Sequence, residues 1–246
     1  PWYASNVTYE DSGNLVFKAG EVLDKNGLKV GIFGLATPET KFKADPRNTL
    51  GLKFADTVAA NVAIANAEVA KLKAGGAEII VLLSHLGTDA ESTVKSTDIA
   101  AAVEGIDIII DGHSHSPHSE SGPSGKSFIA SGADGLLNIG KATVTTGGKV
   151  KSEVITKAQA VGYGQDSAIA QTIATLLEGQ EAILGIVIGK TAVELDGTRG
   201  NNRTGETNLG NLITDAMRLA SGADVVITNG GGIRASIEVG EITVGD

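Results

Sequence analysis

The most restrictive feature of the sequence is the run Ile79-Ile80-Val81-Leu82-Leu83, apolar at every position, followed by Ile106-Asp107-Ile108-Ile109-Ile110. Side chains alternate sides along a strand, so a strand with no polar face must be covered on both sides, as in parallel α/β sheets. The stretch before the first run has helical spacing, with Val58, Val62, Ala65, Val69 and Leu72 on one stripe. Asp56 is the expected N-cap of this helix and Gly75-Gly76 its stop. A weaker helical pattern over 96–103 precedes the second run. Strand, helix, strand in this order predicts a parallel sheet. Both runs end in polar loops that carry histidine, and ligands of open α/β sheets gather at the carboxyl ends of strands.

Composition agrees with a globular α/β chain: 41% of residues are hydrophobic and 20% charged. Aromatics are only 4% while glycine reaches 33, so the core is expected from Ala, Val, Ile and Leu joined by tight turns. The net charge of -9 argues against a nucleic-acid polymer or an anionic membrane as main partner. A small anion can still bind where arginines or metal ions reverse the local potential. The absence of cysteine excludes disulfides, thiolate metal sites and cysteine nucleophiles. No apolar run reaches the roughly 18 residues of a membrane span, and no oligomeric state is read from the sequence. Pro1-Trp2-Tyr3-Ala4 is not a translation start and 242–246 stops where a strand leads into a turn, so an excerpt of a longer chain is expected.

Further strands are expected at 4–7, 15–23, 29–34, 127–131, 141–146 and 149–156, with Gly147-Gly148 as a hairpin turn and a loop at 116–125. Residues 165–184 read as a helix capped by Asp166 or Ser167, its apolar stripe formed by Ile169, Ile173, Leu176, Leu177 and Ile183. A strand at 186–194, a helix at 209–220 and a strand at 224–228 complete the pattern.

All four histidines fall between positions 85 and 118. His85 and His113 each follow a buried strand, and His113 and His115 are two apart, so extended backbone would aim both to one side. Three imidazoles converging on one cleft suit a transition metal. A lone loop histidine is more often bonded to backbone, and His118 is read that way. The second cluster is Asn201-Asn202-Arg203-Thr204-Gly205-Glu206-Thr207-Asn208 with Asn229-Gly230-Gly231-Gly232-Ile233-Arg234. Arg203 is expected in a loop before a helix N-terminus, where backbone N–H groups favour anions. Arg234 follows glycines at the end of a strand, where Gly231 would let backbone approach a ligand. Two such arginines can clamp a phosphate. Arg199 lies near them without an assigned part.

At these residues the chain resembles a known family. Ser84-His85-Leu86-Gly87 and Gly112-His113-Ser114-His115 look like the last two metal motifs of calcineurin-like metallophosphatases, in the branch of 5'-nucleotidases and 2',3'-cyclic-nucleotide phosphodiesterases. The Arg203 and Asn229–Arg234 segments resemble the C-terminal domain of the 5'-nucleotidases. The resemblance implies an α/β fold: the C-terminal part of a four-layer αββα metallophosphatase domain at 1–160, a linker helix at 161–185, and the start of an α/β nucleotide-binding domain at 186–246. It implies two divalent metal ions, Zn, Mn or similar, with His85 and His113 on one ion and His115 on the other. Arg203, Asn229, Gly231 and Arg234 would bind the substrate, a nucleotide. The catalytic histidine and the other metal motifs are expected upstream of Pro1, so 1–246 alone is expected to be inactive.

The implied reaction is hydrolysis of nucleotide phosphate esters by a metal-activated water, in an extracellular, cell-wall-attached or periplasmic setting. The alternative is a non-catalytic, surface-exposed nucleotidase-like module for binding or adhesion. An amidohydrolase barrel, whose metal site also opens with His-x-His, would need histidines on later strands, and none follows His118.

Overall fold

The computed structural model describes residues 1–121, 127–145 and 150–246. It divides into two compact units, Pro1–Gly164 and Gln165–Asp246. In the first unit the chain runs β1 (Val7–Tyr9), β2 (Gly20–Lys25), β3 (Leu28–Ala36), the short helices α1 (Thr40–Lys43) and α2 (Pro46–Thr49), and β4 (Leu52–Phe54). Then come α3 (Val58–Ala74), β5 (Ile79–His85), α4 (Ser96–Ala102), β6 (Ile108–Ile110), β7 (Pro117–Ser121), β8 (Phe128–Gly132), β9 (Asn138–Val144), β10 (Val150–Thr156) and α5 (Lys157–Ala160).

Six strands form one mixed sheet in the order β2-β3-β5-β6-β8-β7. The four central strands are mutually parallel, while β2 and β7 pair antiparallel at the two edges. The register sets Ala36 of β3 beside His85 of β5, and Leu83 beside Ile110 of β6. The carboxyl ends of β5 and β6 therefore reach the same edge of the sheet. Helices α3 and α4 cover one face: Ala65, Val69, Leu72, Ile99 and Val103 pack with Ile80, Leu82, Ile109 and Ile129 into the main core. Each of the Val, Leu and Ile side chains contributes about 1.5–3 kcal/mol when fully buried, which makes this face the rigid floor under the histidine loops.

Several expectations need correction. Thr57, not Asp56, caps α3, its hydroxyl accepting from Ala60 N–H at 3.2 Å. The central strands are not covered equally on both faces, since Leu83 and Ile110 at their carboxyl ends stay exposed. Two-faced apolarity marks a central strand but does not say how far cover extends along it. The strand expected at 4–7 lies at Val7–Tyr9, and the one expected at 15–23 at Gly20–Lys25, because only residues with a ladder partner become strand. Part of the expected loop at 116–125 is strand β7, laid antiparallel on β8. The Gly147-Gly148 turn lies outside the described residues, though the strands it joins pair antiparallel from Val150↔Val144 to Thr156↔Asn138.

The second unit holds α6 (Ser167–Leu184), β11 (Val187–Thr191), α7 (Arg199–Thr204), α8 (Asn208–Ser221) and β12 (Gly240–Thr243), with β11 and β12 antiparallel. Asp166 caps α6 by accepting from Ala168 and Ile169 N–H at 2.9 and 3.1 Å. The α6 stripe of Ile169, Ile173, Leu176, Leu177 and Ile183 is exposed rather than buried. Residues 224–228 are not a strand: no described residue pairs with them, and Val225 and Ile227 are 74% and 88% exposed. An apolar run specifies a buried strand only when neighbours supply the ladder and the cover. No helix among the described residues is long and apolar enough to cross a membrane.

Candidate functional site

The histidines of the first unit are held by two loops locked to each other. His85 is the last residue of β5, not a loop residue as expected. The chain then turns at Gly87, whose φ of +80° lies in the left-handed region that favours glycine. A Cβ there would stand 2.6 Å from Ser114 Oγ and 3.1 Å from His113 Cδ2, so the two loops meet at this glycine. Gly87 N–H donates to Asp111 Oδ1 at 3.2 Å, while Thr88 and Asp89 N–H donate to Ser114 Oγ at 2.7 and 3.1 Å. Gly112 passes close to the first histidine, since a Cβ on it would lie 3.0 Å from His85 Nδ1.

The rings of His85 and His113 stand edge to face with centroids 5.1 Å apart. Two imidazoles bound to one ion at about 2.0–2.1 Å would place their centroids roughly 5 Å apart, so this pair suits a shared metal. The expectation that extended backbone aims His113 and His115 together is not met: both are left-handed, at φ 76° and 56°. Non-glycine residues in this region are uncommon and collect at functional sites. His115 Nδ1 lies 2.9 Å from Asp134 Oδ2 but has no hydrogen bond of good angle. Among the described residues, no group of three or more His, Cys, Asp and Glu is placed so that it could hold a metal ion. The structure thus joins His85 to His113 and leaves His115 beside Asp134. His118 is in β7, and its side chain lies outside the described residues.

Three residues that the sequence did not single out complete this region. Asp111 and Ser114 tie the loops as above. Glu39, almost fully buried, places Oε2 3.0 Å from His113 Nε2 and accepts from Thr93 N–H at 2.9 Å on Oε1. Burial pushes the Glu39 carboxyl up, but Lys43, the Thr93 N–H and His113 together outweigh it and hold the pKa at about 2. The His85 imidazole is accessible yet forms part of a cavity wall, and this partial desolvation lowers its pKa first. The nearby His113 and His115 act in the same direction and Asp111 opposes them. A neutral imidazole is the form that binds a metal. The cavity beside His85, about 560 Å³, is largely apolar, walled by Trp2, Phe17, Leu35, Phe54 and Leu83.

In the second unit the chain folds back on itself through close backbone contacts. A Cβ on Gly230 would stand 1.9 Å from the Asn202 carbonyl oxygen, and one on Gly197 1.8 Å from that of Ala235. These two positions require glycine. Arg203 is not in a loop before a helix: it sits in the last turn of α7, and the helix that follows is capped by Thr207. Asparagine is a poor helix former, and α7 forms where the Asn201 and Asn202 side chains bond back to Asp196 and Thr198, which loop-like polarity concealed. Asn229 Oδ1 accepts from Gly231 N–H at 2.9 Å in a single 3₁₀ turn, Gly230–Gly232, where the end of a strand was expected. Arg203 Nη2 is 3.5 Å from where a Gly231 Cβ would be, so Arg203, Asn229 and Gly231 are neighbours. Arg234 is exposed just beyond them. No ion pair is formed by Arg203, Arg234 or Arg199 among the described residues, although Arg47 and Arg218 each have a carboxylate partner.

Comparison with known proteins matches both regions to one group. Residues 187–246 match the model of the 5'-nucleotidase, C-terminal domain. The chain is 31% identical over 237 residues to the trifunctional nucleotide phosphoesterase protein YfkN of Bacillus subtilis, covering 92% of this chain and 16% of that protein. It is 30% identical over 254 residues to the 5'-nucleotidase of Mus musculus, covering 91% of this chain and 42% of the relative. The fold matches that of the 5'-nucleotidase precursor from Thermus thermophilus with a TM-score of 0.72 at 28% identity, over 99% of this chain and 51% of that one. The chain thus spans about half, or less, of the length of these relatives. Residues 187–246 therefore belong to the 5'-nucleotidase C-terminal domain family, and the chain as a whole is similar to 5'-nucleotidases and nucleotide phosphoesterases.

Proposed function

We propose that the full-length protein hydrolyses phosphate esters of nucleotides, as a 5'-nucleotidase or a 2',3'-cyclic-nucleotide phosphodiesterase, and depends on two divalent metal ions. The observation that carries this reading is the His85–His113 pair at 5.1 Å, one ring at the end of β5 and the other on the loop after β6, at the carboxyl edge of the parallel central strands. Residues 1–160 serve as part of the phosphoesterase domain, 161–185 as a linker and 186–246 as part of the substrate domain. When bound, the ions supply an activated water near neutral pH and neutralise phosphoryl oxygens. His85 and His113 hold one ion and His115 contributes to the other. Ser114 and Asp111 fix the ring-bearing loops so that this geometry does not have to form during the reaction.

Arg203 and Arg234, free of carboxylate partners among the described residues, bind the substrate phosphate, and Asn229 and Gly231 offer polar and backbone groups to the nucleotide. An exported protein is part of the same proposal, in keeping with the precursor status of the Thermus thermophilus relative. His113→Ala in the full-length protein is expected to abolish metal-dependent phosphate release from AMP, measured with a phosphate assay. Turnover within a few-fold of wild type would refute the metal assignment. Residues 1–246 expressed alone are expected to give no turnover.

A further inference from the structure

Glu39 is the most deeply buried carboxylate among the described residues, and the proposed reaction gives it no part. Burying a carboxylate is unfavourable unless each oxygen finds a partner. Its Oε1 accepts from Thr93 N–H at 2.9 Å, and its Oε2 faces the Lys43 ammonium and, at 3.0 Å, His113 Nε2. Lys43 by itself does not explain the burial. Its side chain is 59% exposed, so it could pair with a carboxylate at the surface and does not need one whose side chain is only 3% exposed. Of the two side-chain partners of Glu39 the imidazole is the enclosed one, 16% exposed, and a carboxylate must be buried to reach it.

With a lysine on one oxygen and a backbone N–H on the other, Glu39 is an ionised, acceptor-only group. The hydrogen bond therefore runs from His113 Nε2–H to Glu39 Oε2. A neutral imidazole has one N–H, so Nδ1 keeps its lone pair. His113 also has a left-handed backbone, φ 76°, a conformation that needs external support. Histidines that ligate metals generally donate their second nitrogen's proton to a carboxylate or carbonyl, which sets tautomer and ring orientation.

We infer that Glu39 is a positioning residue: it holds His113 as the Nε2–H tautomer and presents Nδ1 to a divalent cation. The inference rests on the reading of His113 as a metal ligand. The test uses the full-length protein and Zn²⁺, with affinity measured by competition against a chromogenic chelator. Glu39→Ala is expected to weaken Zn²⁺ binding by about 10–100-fold and to lower kcat with KM for AMP little changed. Glu39→Gln, which can still bond the ring, should recover most of the affinity. In metal-free protein, at a pH high enough for the ring to be neutral, ¹⁵N spectra should show His113 as a single Nε2–H tautomer in wild type and as a mixture in Glu39→Gln, because an amide can accept from or donate to the ring.

Two controls separate the inference from its premise. If His113→Ala loses Zn²⁺ and Glu39→Ala binds as wild type, the inference falls and the metal reading stands; if His113→Ala itself binds as wild type, both fall. Lys43→Ala is expected to leave affinity unchanged. A loss there as large as in Glu39→Ala would overturn the inference, since the effect would then come from the local fold of residues 37–43. An Nδ1–H tautomer in wild type would also overturn it, and this measurement stands even if Glu39→Ala fails to fold.

Discussion

The histidine cluster of the first unit and the arginine–glycine cluster of the second are held in place by different means. Around His85 and His113, side chains tie the loops together: Ser114 Oγ and Asp111 Oδ1 accept three backbone N–H groups from the opposite loop, above a sheet whose Leu82, Ile109 and Ile129 are wholly buried. Around Arg203 and Asn229, backbone presses on backbone at Gly197 and Gly230, with only Leu195 and Leu209 as buried apolar residues of that unit. The first arrangement draws its precision from hydrogen bonds on a rigid floor. The second draws it from the absence of side chains. A change of residue should therefore act through lost bonds and cavities in one unit and through steric overlap in the other.

The largest stability effect is expected at the floor. Leu82→Ala should cost about 2–5 kcal/mol, read from chemical denaturation of the full-length protein, whereas Ile227→Ala, at an exposed position, should stay within about 0.5 kcal/mol. Equal costs would show that the second unit has cover at Ile227. Next comes Gly230→Ala, where the new methyl meets the Asn202 carbonyl at 1.9 Å. We expect about 1–3 kcal/mol of strain and a rise in KM for nucleotide. Gly232→Ala, with nothing within 4 Å of its Cβ, is the control and should change little. Matching effects at both glycines would remove the distinction drawn between the units.

Ser114→Ala should be smaller and specific to the first unit. It leaves Thr88 and Asp89 N–H without their acceptor, at a cost of about 1 kcal/mol because both residues are half-exposed and water can replace the hydroxyl, and should weaken metal binding without altering nucleotide affinity. The smallest effect concerns Asp196, half-buried in the second unit. Bonds from Asn201 and from Thr198 lower its pKa below the ordinary value of 3.8. A depressed carboxylate stabilises the fold above its unfolded pKa, and that contribution is lost as pH falls through the folded value. The difference in melting temperature between wild type and Asp196→Asn should therefore be present near pH 6 and shrink below about pH 4. A difference that is constant with pH would mean that charge at Asp196 plays no part.

The same contrast explains what was legible in advance. Strand β5 and helix α3 could be located because apolar runs, helical spacing and the Gly75 stop are local signals whose partners the chain itself supplies. Residues 224–228 bear a similar apolar run, but no described neighbour pairs with them, and they stay irregular. His85 and His113 could be picked out by position after strands, and their approach follows from the parallel register of β5 and β6. Arg203 was expected in a loop rather than in a helix because polar residues were read as loop where α7 forms.

Taken alone, the sequence determined the order of most elements, the α/β class and the residue types available to the two clusters, because caps, apolar runs and glycine stops act over a few residues. The tertiary structure decided what distance along the chain conceals. It gave His113 and His115 left-handed backbones in place of the extended one that alternation assumes, and it set Ser114 rather than a third imidazole at the junction of the loops. Above all it brought Glu39 to His113 across 74 positions. No spacing rule connects those two residues; only the approach of the turn before α1 to the β6–β7 loop does.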